Sequence, residues 1–342
     1  MGSSRVRVLA AVLVTIFVAR SDAALDQDRV WFCPGPGTID YVRLFEQPSE
    51  WAHARQLVSV FKFYQQHTQI PAPSIVGPNT YDALARAGVF RTLKAWGKKT
   101  AIEVGAVKEG YCTPDASGMN AAISASVASV RAIESAGGSV AYLALDEPFL
   151  SGQLPVCGGP GLDATADRLA IYGAGVSQAL PNVRIGLIEA YPSFGPDAFA
   201  SMIQLLTARG VKPAFLHVDV DIKAVRPGRD DFARDMTRLA TTCREQRIPF
   251  GMIIWGYNGD NDVLYSLDAE RLAGAVADTF RWDAMPEHLI FQSWAESATG
   301  LRITPANLPE DRQYSHTQIL WSTFRRLYGQ TAPSTGTAVI RR

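Results

Sequence analysis

Short runs of aliphatic and aromatic residues recur along this chain, separated by segments whose apolar positions return every three to four residues. The first pattern reads as buried strands and the second as helices. The strand runs are Arg29–Cys33, Val58–Tyr64, Thr100–Ala106, Val140–Asp146, Val183–Glu189, Ala214–Asp219, Phe250–Trp255 and His288–Gln292. The clearest helical segments are Met119–Ser135, Thr165–Ala179, Ala198–Ala208, Asp230–Gln246, Ala269–Phe280 and Ser315–Tyr328. Strands alternating with helices predict a parallel sheet with crossover helices. Eight such units are what a closed barrel requires, so the expected fold is α/β, a single (β/α)8 TIM barrel. The runner-up is a doubly wound open sheet. It lacks its glycine-rich fingerprint, because Cys33-Pro34-Gly35-Pro36-Gly37 is too rigid and has no helix directly behind it.

Within a barrel strand, residues alternate between the lumen and the helix layer. The helix-facing phase must be apolar, so a polar residue reports the inward phase. This places Lys62 and Tyr64 of the second strand inside, and Glu103 and Gly105 of the third. In the fourth, Tyr142, Ala144 and Asp146 face in. The fifth brings Glu189 to its end, on the side of Ile185 and Leu187. His217 and Asp219 face in from the sixth, and Gln292 with Trp294 from the eighth. The lumen is therefore polar toward the strands' C-terminal ends, where barrel active sites are built. Lys62–Glu103 and His217–Asp219 stand equally well as buried structural pairs that support a site without reacting.

Composition changes this picture little. Of 342 residues, 47% are hydrophobic and 19% charged, and the formal net charge is +0. Neutrality gives no reason to expect nucleic acid or an anionic membrane surface as a partner. The N-terminus matters more. Arg5 and Arg7 precede an apolar stretch from Val8 to Val18, followed by Ser21-Asp22-Ala23, which reads as a signal peptide over residues 1–23. A barrel domain over 24–329 and a small, polar, disordered tail over 330–342 complete the organisation. The expected location is secreted or periplasmic, without a membrane anchor after signal removal, and the expected state is a monomer. Export permits disulfides. Of the four cysteines, Cys112 and Cys157 follow strands in Gly/Pro-rich loops and are expected to pair, whereas Cys33 and Cys243 are expected as buried thiols.

The fourth strand ends in Asp146-Glu147-Pro148. Packing does not explain two adjacent acids there, because a buried charge is costly unless paired or used. Carboxylates with aromatic rings at a barrel mouth suit glycosidic hydrolysis, in which one carboxylic acid protonates the leaving oxygen and a second carboxylate attacks the sugar or activates water. Tyr64, Tyr191, Trp255, Tyr257 and Trp294 sit at strand ends where rings can stack on sugar faces.

On these residues the chain resembles the secreted (β/α)8 glycoside hydrolases, in strand order across essentially the whole mature length. Asp146-Glu147-Pro148 resembles the Asn-Glu-Pro of the retaining clan A barrels, whose Glu after the fourth strand is the general acid/base. The resemblance implies that role for Glu147. Asp replaces Asn, and an Asp-Glu pair is also similar to barrels that cleave N-acetylhexosaminides with help from the substrate's acetamido group. There the Asp orients that group and the Glu is the acid, which implies an orienting role for Asp146. The seventh strand departs from clan A: Ile254-Trp255-Gly256-Tyr257-Asn258 offers no nucleophilic Glu. Glu189 ranks first as the second catalytic carboxylate and Glu296 after it. Glu103, Asp219, Tyr64, Trp255, Gln292, Trp294, Glu296 and Lys62 are the expected substrate-binding set.

The expected partner is thus a carbohydrate substrate. No cofactor is expected: of five His only His217 faces the lumen, and no Gly-x-Ser-x-Gly elbow marks an esterase. Asp219-Val220-Asp221 suits calcium, although a strand-end acid paired with Lys62 or Lys223 is the plainer reading. Two competing functions remain, a catalytically silent carbohydrate-binding barrel and, more weakly, a metal-dependent hydrolase.

Overall fold

The computed structural model describes residues 28–108, 111–113, 117–159, 161–225, 231–280, 285–296 and 304–328. The signal peptide and tail expected at the two ends lie outside them. Eight strands occur: β1 (Val30–Cys33), β2 (Val60–Tyr64), β3 (Lys99–Val104), β4 (Tyr142–Asp146), β5 (Arg184–Tyr191), β6 (Leu216–Val220), β7 (Phe250–Ile254) and β8 (His288–Gln292). All pair in parallel with their sequence neighbours, and β8 closes on β1 with Cys33 beside Gln292. The chain is a single (β/α)8 TIM barrel.

Helices Gly118–Ser135, Gly161–Ala179, Pro196–Ala208, Phe232–Glu245, Asp262–Thr279 and His316–Tyr328 match the six periodic segments. The Asp262–Thr279 helix begins well before the Ala269 expected for it. Its N-cap, Asn261, accepts the Leu264 N–H at 3.0 Å, so the polar stretch that reads as loop is the helix start. The crossovers after β1 and β2 use shorter pieces, Ala52–Leu57, Tyr81–Arg86 and Val89–Ala95, too short for a clear period in the sequence.

Two separate apolar layers show which phase faces where. Trp31, Val60, Ala101, Tyr142, Ala144, Ile188, Phe215, Ile253 and Ile290 pack together inside the barrel. Phe63, Ile102, Leu143, Leu145, Leu187, Leu216, Val218 and Met252 join the larger core under the helices. The lower half of the lumen is filled. Trp31 packs edge-on against Phe215 and His217, Phe215 stacks on His217 with ring centres 4.0 Å apart, and His217 Nε2 meets His288 Nδ1 at 2.9 Å. Burial and the neighbouring His288 push the His217 imidazole well below its usual pKa. This corrects the expected His217–Asp219 pair. At the base, Lys99 pairs with Asp28 at 2.8 Å, and Tyr142 donates to the same carboxylate.

Candidate active site

Above that filled layer lies a buried polar floor. Lys62 on β2 is fully buried and donates to Glu103 on β3 and to Gln292 on β8. The Gln292 amide donates to Glu103 at 2.9 Å and to the Tyr64 hydroxyl at 3.1 Å, and Tyr64 in turn donates to the Ser293 carbonyl at 2.7 Å. Burial pulls the Lys62 pKa down, but the Glu103 charge and hydrogen bond, with Cys33 and Asp146, outweigh it and the net shift is upward. Lys62 is therefore a fixed cation rather than a neutral nucleophilic amine.

The floor supports a cavity of about 540 Å³ at the C-terminal mouth. Glu103, Asp146, Glu147 and Asp219 lie on its wall with Gln65, Gln292, Tyr64 and Trp294. Lys108, from the loop after β3, reaches in to bind Asp146 at 2.6 Å and approaches Glu147 to 3.6 Å. Burial and the Glu103 charge raise Asp146 to about 6, against the pull of Lys108. Burial, then Glu147, Asp146 and Glu103, push Asp219 well above the carboxylate range, and its Oδ1 has no hydrogen-bond partner. Acids crowded this closely cannot all be ionised at once, so the cluster can hold a proton and a free carboxylate side by side, the two forms that acid/base chemistry needs.

Glu147 is placed unusually. It turns the chain from β4 into the short helix Pro148–Gly152 with φ 45° and ψ 48°, the left-handed region, where a non-glycine residue is strained. A residue before proline favours extended backbone, so nothing local in the sequence announces this corner.

Several expected site residues lie elsewhere. Glu189 is on the helix-facing phase of β5 with Leu187 and Tyr191, while Ile188 faces the lumen. Its Oε1 accepts the Phe149 N–H at 2.7 Å and its Oε2 the Leu150 N–H at 3.3 Å. It is not on the cavity wall, and its expected role as second catalytic carboxylate is withdrawn. The rule that a polar residue marks the inward phase fails here because the carboxylate serves backbone donors of the neighbouring loop. Glu296 is exposed and outside the cavity. Trp255 stands behind Trp294, ring centres 4.4 Å apart, and donates its indole N–H to the Val220 carbonyl, so it braces the wall without lining it. Tyr191 is buried and donates to Asp235. Asp221 accepts the backbone N–H groups of Lys223 and Ala224, a local turn rather than one side of a calcium cage.

Lys108, Tyr111 and Gln65 line the cavity but escaped the sequence reading. Gln65 and Lys108 follow closely on the ends of β2 and β3, and Tyr111 sits further along the same βα-loop as Lys108, which was the available signal, since βα-loops build barrel sites. The Cys112–Cys157 disulfide, expected from the sequence, ties the loop after β3 to the loop after β4 with Cα atoms 5.0 Å apart, while Cys33 and Cys243 are buried thiols. The cross-link braces the loop that presents Lys108 and Tyr111. The paired Cys112→Ser, Cys157→Ser variant is expected to lose about 2–4 kcal/mol of stability in urea titrations, the usual range for a native disulfide. A loss below about 1 kcal/mol would contradict a bracing role.

Comparison with known proteins gives the architecture an independent check. No protein-family model matches the chain, and no curated protein matches it. Among solved structures, the Ignisphaera aggregans GH53 catalytic domain superposes with a TM-score of 0.52 at 12% identity, covering 90% of this chain and 98% of that one. A chitinase active domain from Pyrococcus furiosus gives 0.49 at 14% identity, covering 89% and 97%, and the aldolase QR15 gives 0.44 at 10%, covering 78% and 91%. The GH53 likeness shows the barrel fold. Function has to be argued from the site itself, because this fold hosts many chemistries. Among the described residues no helix is long and apolar enough to cross a membrane.

Proposed function

We propose that this chain is a secreted glycoside hydrolase that cleaves O-glycosidic bonds of a polysaccharide or oligosaccharide. The observation that carries the reading is the convergence of Glu147, Asp146 and Asp219 with Trp294 and Tyr64 on one cavity at the C-terminal mouth. Glu147, at the rim, is the proton donor. Asp146, held by Lys108, orients the substrate. Asp219, on a different strand and with one oxygen unmatched, takes over from Glu189 as the partner carboxylate. Glu103, Gln292 and Lys62 keep the floor rigid, and Trp294 offers a sugar-stacking face. The disulfide supports a site of action outside the reducing cytoplasm, in keeping with a cleaved signal and a carbohydrate partner met by a monomer.

The test is a panel of purified polysaccharides and oligosaccharides, read by release of reducing ends. The expected result is turnover on one glycan class, lowered at least about a hundredfold in Asp219→Asn. The second reading, a carbohydrate-binding barrel without catalysis, draws on the absence of a carboxylate at the end of β7, where Trp255 stands. Glycan binding with no new reducing ends after long incubation would decide for it.

A further inference from the structure

The loop from Glu147 to Gly152 presents an unusual division of labour. A helix start leaves backbone N–H groups without partners, and the N-cap side chain ordinarily accepts one of them. Here the N-cap of Pro148–Gly152 is Glu147, and its side chain makes no capping bond. The free N–H groups of Phe149 and Leu150 are taken instead by Glu189, a fully buried carboxylate on the neighbouring strand β5. The residue before it on that strand, Ile188, accepts the Glu147 N–H through its carbonyl at 3.0 Å. One strand thus grips the Glu147 corner on both sides, through Ile188 before the turn and Glu189 after it.

The energetics favour this arrangement for a reason. The left-handed backbone at Glu147 costs on the order of 1–3 kcal/mol and persists only where the surroundings over-determine it. Burial pushes the Glu189 pKa up and the two backbone N–H bonds pull it back down, and with two donors seated on one carboxyl group those bonds help to offset the strain. With the cap supplied from outside, the Glu147 carboxylate is released from the backbone and stands on the cavity wall.

We infer that Glu189 is a positioning residue: it caps the Pro148–Gly152 turn in place of Glu147 and so fixes the Glu147 carboxylate in the site. This rests on the proposed role of Glu147 as proton donor. Glu189 itself touches no substrate.

The variant to make is Glu189→Gln, which keeps size and one acceptor oxygen but places an NH₂ group against a backbone donor. Amide hydrogen exchange is expected to quicken at least about tenfold at Glu147 and at residues 149–152 and to stay unchanged in the other strands, because the opening is local. On the substrate identified by the glycan panel, kcat is expected to fall about 10- to 100-fold with KM held within about threefold, as for a misplaced catalytic group on an intact binding site. Glu189→Asp, too short to reach both donors, should show the same pattern. Unchanged exchange at Glu147 and at residues 149–152 would overturn the proposal, and so would faster exchange throughout the barrel, which would make Glu189 a general stabiliser. A fall in kcat and a rise in KM by equal factors would overturn it too. If no glycan is turned over, the glycosidase reading fails, while the exchange measurement still decides whether Glu189 holds the turn.

Discussion

Glu147→Gln is expected to lower kcat/KM about a thousandfold on a natural glycan while the barrel unfolds at an unchanged temperature. The amide keeps the shape of the side chain and cannot deliver a proton, and general acid catalysis contributes about 10²–10⁴ in rate. The left-handed corner is as strained with Gln as with Glu, so stability should not move. A glycoside whose leaving group departs without protonation separates the proton-donor role from mere damage. With a nitrophenolate leaving group, the variant should lose far less. Equal losses on both substrates would mean that Glu147 holds the sugar rather than protonates it. Undiminished turnover of the natural glycan would remove it from the mechanism.

The second large effect is on stability. Lys62→Met is expected to cost about 3–5 kcal/mol at pH 7–8, because removing one member of a buried ion pair leaves the other uncompensated. Glu103 is only 8% exposed and would keep Gln292 as a donor but lose its cation, while the Gln292 carbonyl would lose its donor. The pH dependence follows from the sign. A buried charge left without its partner can shed its cost by taking up a proton, so the penalty is fullest toward neutral pH and fades as pH falls. Chemical denaturation of parent and variant between pH 4.5 and 8 should therefore show curves that converge toward acid. The double variant Lys62→Met, Glu103→Leu should recover much of the loss, since apolar residues replace such pairs well. A pH-independent loss would point to packing instead of charge.

How far the sequence disclosed these features depended on whether a residue's role shows in its own strand. Lys62, Glu103, Asp146, Asp219 and Gln292 each break an apolar strand at alternate positions, and all reach the lumen as alternation requires. Their strands start within about two residues of the expected places. Glu189 breaks its strand in the same way and faces the other side, because its partners are N–H groups in a loop 40 residues earlier. Alternation has no means of sensing such a partner. The aromatics divide for a similar reason: Trp294 and Trp255 have similar placement in sequence, and only their mutual stacking determines which one meets the cavity. Lys108 and Tyr111 belong to a loop with no period. The left-handed turn at Glu147 leaves no trace beyond a proline that argues for the opposite conformation.

Among the described residues, the aromatic packing beneath the polar floor closes the base of the cavity. Trp31, Phe215, His217 and His288 fill the barrel from strand to strand, so nothing can drain through the base. On the proposed reading, a product leaves on the same side from which substrate enters. A product that lingers there would obstruct its own precursor.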